Sequence, residues 1–148
     1  MNIIKVATSK LGVDELLDKV SGSGGVIQLF DEEAIACREH LEFAYLNAVK
    51  SHERGESRTK SLSIEMLLCA AMTSQIGDAI KKVGARSGRP FIVFSDDGKA
   101  YAKIASYLVK PAEFDPDGKT AARLVHLGIK SGKVEDLIQE IALKAMER

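Results

Sequence analysis

Cys37 and His40 are the first residues of the chain whose types and spacing could support chemistry. They lie three positions apart in a stretch with helical periodicity, so both side chains could project from one helix face. A structural zinc site needs four such ligands, and the rest of the chain offers only Cys69, His52 and His126. These spacings are not diagnostic of zinc ligands. The sequence therefore predicts neither a metal site nor a cofactor.

Signatures of nucleophilic catalysis and phosphate binding are also missing from the sequence. The chain contains no GxSxG, HExxH, GxxxxGK[ST] or GxGxxG pattern, and its histidines form no Ser/His/Asp or Cys/His signature. The run SGSGG at 21–25 precedes a strand-like segment instead of a helix, and DPDG at 115–118 has the composition of a turn. We therefore predict a binding protein and not an enzyme.

The segment SIEMLLCAAMTSQIGDAIKKVGA, at 63–85, has the periodicity of one long helix but places two polar residues inside its apolar arc. The arc covers about 180° of the helical projection, more than the stripe of about 100° that one packing face needs. Glu65 lies in the first turn, where a carboxylate interacts favourably with the helix dipole. Gln75 lies in the middle and is either a hydrogen-bonded core amide or part of a surface that another molecule fills. The width of the arc predicts contacts on two sides of this helix.

His40 and two basic clusters are candidate contacts for anions or bases. His40 borders the apolar stripe of its helix, which predicts a half-exposed packing residue; an imidazole there could alternatively bind a phosphate or stack on a base. Basic residues cluster at 50–60 and 79–95, although 21 basic and 21 acidic residues give the chain no net charge. Neutrality argues against non-specific coating of nucleic acid. Each cluster is either a solvated face or a local anion-binding patch.

Periodicity and turn composition predict the elements that must position these residues. Strand-like segments lie at 2–8, 26–30 and 91–97, with a possible edge strand at 109–114. The run at 91–97 is nearly all apolar, which predicts burial on both faces. Helical patterns cover 13–20, 31–51, 63–85, 96–108, 119–127 and 133–148, with Asp31 and Asp96 or Asp97 as caps. This order predicts an α/β (α+β) fold, a single compact domain over 1–148 in which several helices cover a small mixed β-sheet.

Length and composition favour an ordinary soluble protein. The 148 residues, 45% of them hydrophobic and 28% charged, are enough for one core. No apolar run approaches the roughly 18 residues of a membrane span, and the N-terminus shows no secretory pattern. Two cysteines inside apolar helical patterns predict a reduced, cytoplasmic location without membrane partners.

Three segments together resemble the TPRKB family, the regulatory subunits of the KEOPS complex that bind its kinase PRPK. The segments are VIQLFDEEAIACREHLEFAYLNA at 26–48, the helical segment at 63–85, and VEDLIQEIALKAMER at 134–148. The N-terminal strand and FIVFSDD occur in the family's order. The resemblance covers nearly the whole chain and is loosest at 98–132. It implies a compact α/β domain with no catalytic activity of its own.

The resemblance also implies an accessory role in making threonylcarbamoyl-adenosine beside the anticodon of tRNA. Subunits of this family bind a small atypical kinase/ATPase and help recruit tRNA through its single-stranded CCA end, while a separate subunit performs the transfer. Our candidate RNA contacts are His40, Arg58, Lys60, Gln75, Lys81, Lys82 and Arg86. Our candidate kinase contacts are apolar residues of the last helix that could equally be core: Leu137, Ile138, Ile141 and Met146.

One departure from the family lies beside Gln75. Ser74 stands where members often place a basic residue, so Lys81 or Lys82 would have to compensate in RNA binding. Two alternative functions stay open. The chain could be a pure protein-interaction module whose basic clusters are only solvated, or it could be a small-molecule-binding regulatory domain or unrecognised enzyme that uses the groove beside Gln75.

Overall fold

The computed structural model describes residues 1–146, which form two compact units. The first unit combines Met1–Glu32 with Gly84–Asp115, and the second combines Glu33–Val83 with the chain from Pro116 onwards. The last two residues of the helix predicted at 133–148 lie outside the described residues. The single domain over 1–148 stays a prediction.

The elements follow one another as short strands and helices. In chain order they are β1 (Asn2–Val6), β2 (Thr8–Ser9), α1 (Val13–Val20), β3 (Ile27–Asp31), a 3₁₀ turn (Glu32–Ala34), α2 (Arg38–Glu53), α3 (Leu62–Ala71), α4 (Ile76–Val83), β4 (Phe91–Ser95), α5 (Gly98–Ile104), a second 3₁₀ turn (Ala105–Tyr107), β5 (Leu108–Val109), β6 (Ala112–Glu113), α6 (Thr120–His126) and α7 (Val134–Met146). The predicted α+β fold class is confirmed. No helix within residues 1–146 has the length and apolar character needed to cross a membrane.

The first unit holds the β-structure. A four-stranded sheet runs in the order β3-β4-β1-β6, and β2 pairs with β5 in a separate two-stranded sheet. The prediction named a mixed sheet; the strands of the described residues pair antiparallel throughout. All five residues of β4 are buried, as its apolar run predicted. Val93 and Leu29 pack in one cluster with Leu16 of α1 and Ile104 of α5.

The two helices of the first unit follow their sequence signals closely. The predicted bounds of α1, 13–20, are confirmed. Asp97 caps α5, because its carboxylate accepts a hydrogen bond of 2.8 Å from the Lys99 N–H. The helix predicted to continue to 108 ends at Ile104 and tightens into the second 3₁₀ turn.

The prediction that a helix starts at Asp31 is wrong. Asp31 is the last residue of β3, and its carboxylate lies 3.2 Å from the Arg89 guanidinium instead of capping a helix. The following Glu32 N–H donates to the Pro90 carbonyl. These contacts hold Asp31 in β3; the chain then passes through the 3₁₀ turn, and α2 begins only at Arg38.

The prediction of one helix over 63–85 is also wrong, because the chain turns at Met72. Met72 has left-handed backbone angles, φ 57° and ψ 42°. Its N–H donates to the Cys69 carbonyl and the Thr73 N–H donates to the Leu68 carbonyl. This pair of bonds is a Schellman motif with methionine in the position that usually holds glycine. The segment therefore forms two helices, and α4 begins at Ile76.

Candidate functional site

His40 is a buried link between two helices of the second unit. Its Nδ1 accepts a hydrogen bond of 3.2 Å from the Ala36 N–H, just before α2. Its Nε2 lies 2.8 Å from the Ala70 carbonyl, in the last turn of α3. Since a backbone N–H can only donate and a carbonyl can only accept, these bonds select the neutral tautomer with the proton on Nε2.

The prediction that His40 is half-exposed is wrong. The residue has no solvent exposure, because α3 covers the edge of α2 on which it lies. Burial lowers the pKa of His40 from 6.5 to about 4, the hydrogen bond to Ala70 opposes that shift, and the charge of Lys82 adds to it. The imidazole offers no surface to a phosphate or a base, so we leave His40 out of the candidate interface.

Glu65 is the centre of a buried polar network. It lies in the first turn of α3, as predicted, but its side chain is only 1% exposed. Its Oε2 accepts hydrogen bonds of 3.0 Å from the Arg58 N–H and 3.2 Å from the Thr59 N–H. Its Oε1 accepts from Arg58 Nε at 3.0 Å. The carboxylate therefore fixes the loop before α3 in addition to lying at the positive end of the helix dipole.

Arg58 joins the two ends of α3. Besides its bond to Glu65, its guanidinium donates hydrogen bonds to the Thr73 carbonyl at 3.0 Å and to Cys69 Sγ at 3.6 Å. The Arg58 side chain is 13% exposed, so this residue, which was predicted to contact RNA, instead makes its contacts inside the protein. Burial raises the pKa of the Cys69 thiol to about 11, with Arg58 opposing the shift, so the thiol stays protonated at neutral pH. Arg58 thus positions the turn from which α4 starts.

Exposed residues at the start of α4 and along it form the best candidate for a binding surface, and the same helix also exposes the acidic Asp78. We call the set Gln75, Ile76, Ile80, Lys81 and Lys82 the α4 surface; all five are exposed, with Ile76 at 43% and Ile80 at 52%. The hypothesis that Gln75 is a core amide is wrong. The break at Met72 turns Gln75 out of the predicted apolar arc.

Two buried side chains, Ala79 and Val83, anchor α4 in the second unit. Its start is fixed by a hydrogen bond of 3.2 Å from the Gln75 N–H to Thr73 Oγ1. The α4 surface therefore stands on a helix that is packed into the second unit, which gives its exposed side chains a defined position.

Lys82, near the end of α4, lies close to charged residues of α7. Partial desolvation lowers the pKa of Lys82; Glu140 opposes this shift and Lys144 adds to it. Both of those residues lie on α7, so basic side chains of two helices share one region of the second unit.

The apolar residues of α7 divide into core and surface. Leu137 and Ile141 are fully buried, and Ile138 is half-buried. Met146 is 72% exposed. Leu143, which was not among the predicted contacts, is 54% exposed. Leu143 lies six residues after Leu137, on a different side of the helix, and the spacing alone could have identified it.

The remaining predicted RNA contacts are not all brought together. Gln75, Lys81 and Lys82 belong to the α4 surface. Lys60 is exposed in the loop before α3, and Arg86 is exposed in the first unit. Within residues 1–146 no group of three or more His, Cys, Asp or Glu residues could hold a metal ion, and Cys37 and Cys69 are free and buried.

Two comparisons relate the chain to known proteins. Residues 12–124, about three-quarters of the chain, match the family described as kinase binding protein CGI-121. A stretch of 58 residues, 39% of the chain, is 40% identical to the KEOPS complex subunit Cgi121 of Pyrococcus abyssi (strain GE5 / Orsay). That stretch spans 34% of the relative's length.

Proposed function

Because the chain belongs to the CGI-121 family of kinase binding proteins, which confirms the resemblance found in the sequence, we propose that it is a non-catalytic accessory subunit of the KEOPS complex. In this role it binds the small atypical kinase/ATPase of the complex in the cytoplasm and recruits tRNA through the 3′ CCA end. The observation that carries the RNA part is the α4 surface, which combines cationic, amide and apolar side chains on one anchored helix.

The chemistry of the α4 surface suits an unpaired RNA end. Lys81 and Lys82 can neutralise backbone phosphates, and the Gln75 amide can donate to and accept from a base edge. Ile76 and Ile80 offer apolar area against which unstacked bases can pack. A neutral chain that contacts only a few phosphates would bind this end without general affinity for nucleic acid.

Neutralising the two lysines tests the RNA role. Lys81→Gln combined with Lys82→Gln is expected to weaken binding of intact tRNA about tenfold or more, because two phosphate contacts are lost. The slope of log affinity against log salt should become shallower by about 1.4, or about 0.7 per single-strand phosphate. Filter binding over a salt series with intact and CCA-trimmed tRNA measures both effects.

The matched control is Lys99→Gln combined with Lys130→Gln, which removes the same charge from exposed residues outside the α4 surface. This pair should change tRNA affinity less than twofold. Equal loss in both double variants, or equal affinity of the parent chain for intact and trimmed tRNA, would reject recognition of the 3′ end through α4.

The kinase part is supported by the exposed apolar residues of α7. Leu143→Asp and Met146→Asp are expected to abolish co-purification of the kinase while changing the free energy of unfolding by less than about 0.5 kcal/mol, since both side chains are exposed. Leu137→Ala should instead lower that free energy by about 2–5 kcal/mol, because the buried leucine leaves a cavity. Chemical denaturation and pull-down with purified kinase measure the two quantities. Retention of the kinase by both aspartate variants would contradict this assignment.

A pure protein-interaction module is the second candidate, and the exposed Leu143 and Met146 favour it independently of the lysines. It predicts that the kinase is retained while the parent chain binds neither RNA at moderate salt. The hypothesis of a small-molecule groove beside Gln75 gains no support, because Gln75 lies exposed at the start of α4.

A further inference from the structure

A cavity in the first unit has the lining of an anion site. Its volume is about 170 Å³, room for several water molecules at about 30 Å³ each. Cationic residues line it, namely Lys10, Arg86 and Arg89, together with hydroxyl residues including Ser9 and Ser87. No acidic residue is among its lining residues in the described chain. Together these side chains favour an anionic occupant.

The segment from Arg86 to Arg89 is a tight turn at the edge of this cavity. The Arg89 N–H donates to the Arg86 carbonyl, and Gly88 has a φ of 83°, which a side chain would disfavour. A Cβ placed on Gly12 would lie 3.9 Å from Ser87 Oγ, so the hydroxyl stands close to the start of α1. Within residues 1–146 the N–H groups of Ser87 and Gly88 donate no hydrogen bond to the protein. They are available as additional donors.

Nearby carboxylates reduce the positive charge at this cavity. Asp31 pairs with Arg89 at 3.2 Å, and Glu15 accepts a hydrogen bond of 3.4 Å from the Gly12 N–H. Because the Gly12 N–H already donates to Glu15, the donors for an anion come from the basic side chains and the turn, and not from the start of α1. Lys10 is held at its backbone by a bond of 2.8 Å to the Tyr107 carbonyl, and its ammonium has no ion-pair partner in the described part of the chain.

We propose that this cavity binds a phosphate oxyanion. The guanidinium groups supply planar, two-pronged donors, Lys10 supplies a compact positive charge, and the Ser87 hydroxyl and turn amides complete the set. The site goes beyond the proposed function, since it lies in the first unit and uses no residue of the α4 surface. Free phosphate or a phosphate ester and the phosphodiester of an RNA strand share this chemistry.

Amide NMR of the full chain tests the proposal with inorganic phosphate as the probe, titrated against chloride at matched ionic strength. Saturable shifts of the Ser87 and Gly88 amides are expected. Lys10→Gln and Arg86→Gln should each weaken phosphate binding about tenfold, whereas Lys99→Gln, an equal charge change outside the cavity, should alter it less than twofold. Thermal unfolding of each variant checks that the chain stays folded.

A second arm identifies the source of the phosphate. Competition between a short single-stranded RNA and inorganic phosphate for the same two amides would assign the site to an RNA strand. Phosphate shifts that RNA cannot displace would assign it to a free phosphate or ester. Absence of saturable phosphate shifts, or equal weakening by Lys99→Gln, would overturn the proposal. Either result is separate from failure of the α4 surface, which the Lys81/Lys82 variants measure in another unit.

Discussion

Glu65→Gln is expected to lower the free energy of unfolding by about 3 kcal/mol, because it leaves the largely buried Arg58 guanidinium without its counter-charge. The same change weakens the hydrogen bonds that the backbone N–H groups of Arg58 and Thr59 donate to this side chain. Urea denaturation of the parent and variant chains measures the loss. The matched control is Glu53→Gln on the exposed end of α2, which should stay within about 0.5 kcal/mol of the parent chain.

A double-mutant cycle separates the ion pair from the packing around it. Arg58→Met, Glu65→Gln and their combination should show a coupling energy of at least about 1 kcal/mol, since the two side chains are in direct contact. Additive effects would mean that the pair contributes nothing beyond its separate contacts. The cycle also bears on binding, because Arg58 donates to the Thr73 carbonyl and the Thr73 hydroxyl accepts from the Gln75 N–H just before α4.

Acidification from pH 6.5 towards pH 4 is expected to destabilise the protein through His40. The folded state holds the pKa of His40 at about 4, below its ordinary value of 6.5, so the unfolded state binds the proton more tightly. The stabilisation from the neutral imidazole is complete above pH 6.5 and is lost as the pH falls towards 4. The free energy of unfolding should fall by up to about 1.4 kcal/mol per pH unit across this window. The structural cause is direct, because protonated Nδ1 would face the Ala36 N–H as a second donor.

Denaturation curves between pH 4 and pH 8 test the role of His40. His40→Gln should remove this part of the pH dependence, since an amide can keep one acceptor and one donor without titrating in this range. His126→Gln, a change of an exposed histidine, should leave the pH profile of the parent chain. If the slopes of the parent and His40→Gln chains coincide, His40 is not the group responsible.

Local sequence signals predicted the elements that depend on local chemistry. The bounds of α1 followed from apolar spacing, the burial of β4 followed from its nearly continuous apolar run, and Asp97 was one of the two caps predicted for α5. The basic character of α4 and the family of the chain could also be read from the residues. These features needed no knowledge of distant parts of the chain, because neighbouring residues determine periodicity, capping and composition.

The features that only the tertiary structure decided depend on residues far apart in sequence. The helix break at Met72 carries no glycine or proline signal, and the left-handed turn is held in place by Arg58 from before α3. His40 is buried under α3, where the carbonyl of Ala70, 30 residues away, accepts a hydrogen bond from its Nε2–H, and no helical projection of α2 could indicate this partner. Periodicity placed Gln75 in a core, and the turn placed it on the surface. The sequence by itself thus determined the types of most elements and the charges of this protein. Long-range hydrogen bonds decided where two of the predicted helices start or break and which polar groups are buried, because each buried polar group needs a partner that only folding supplies.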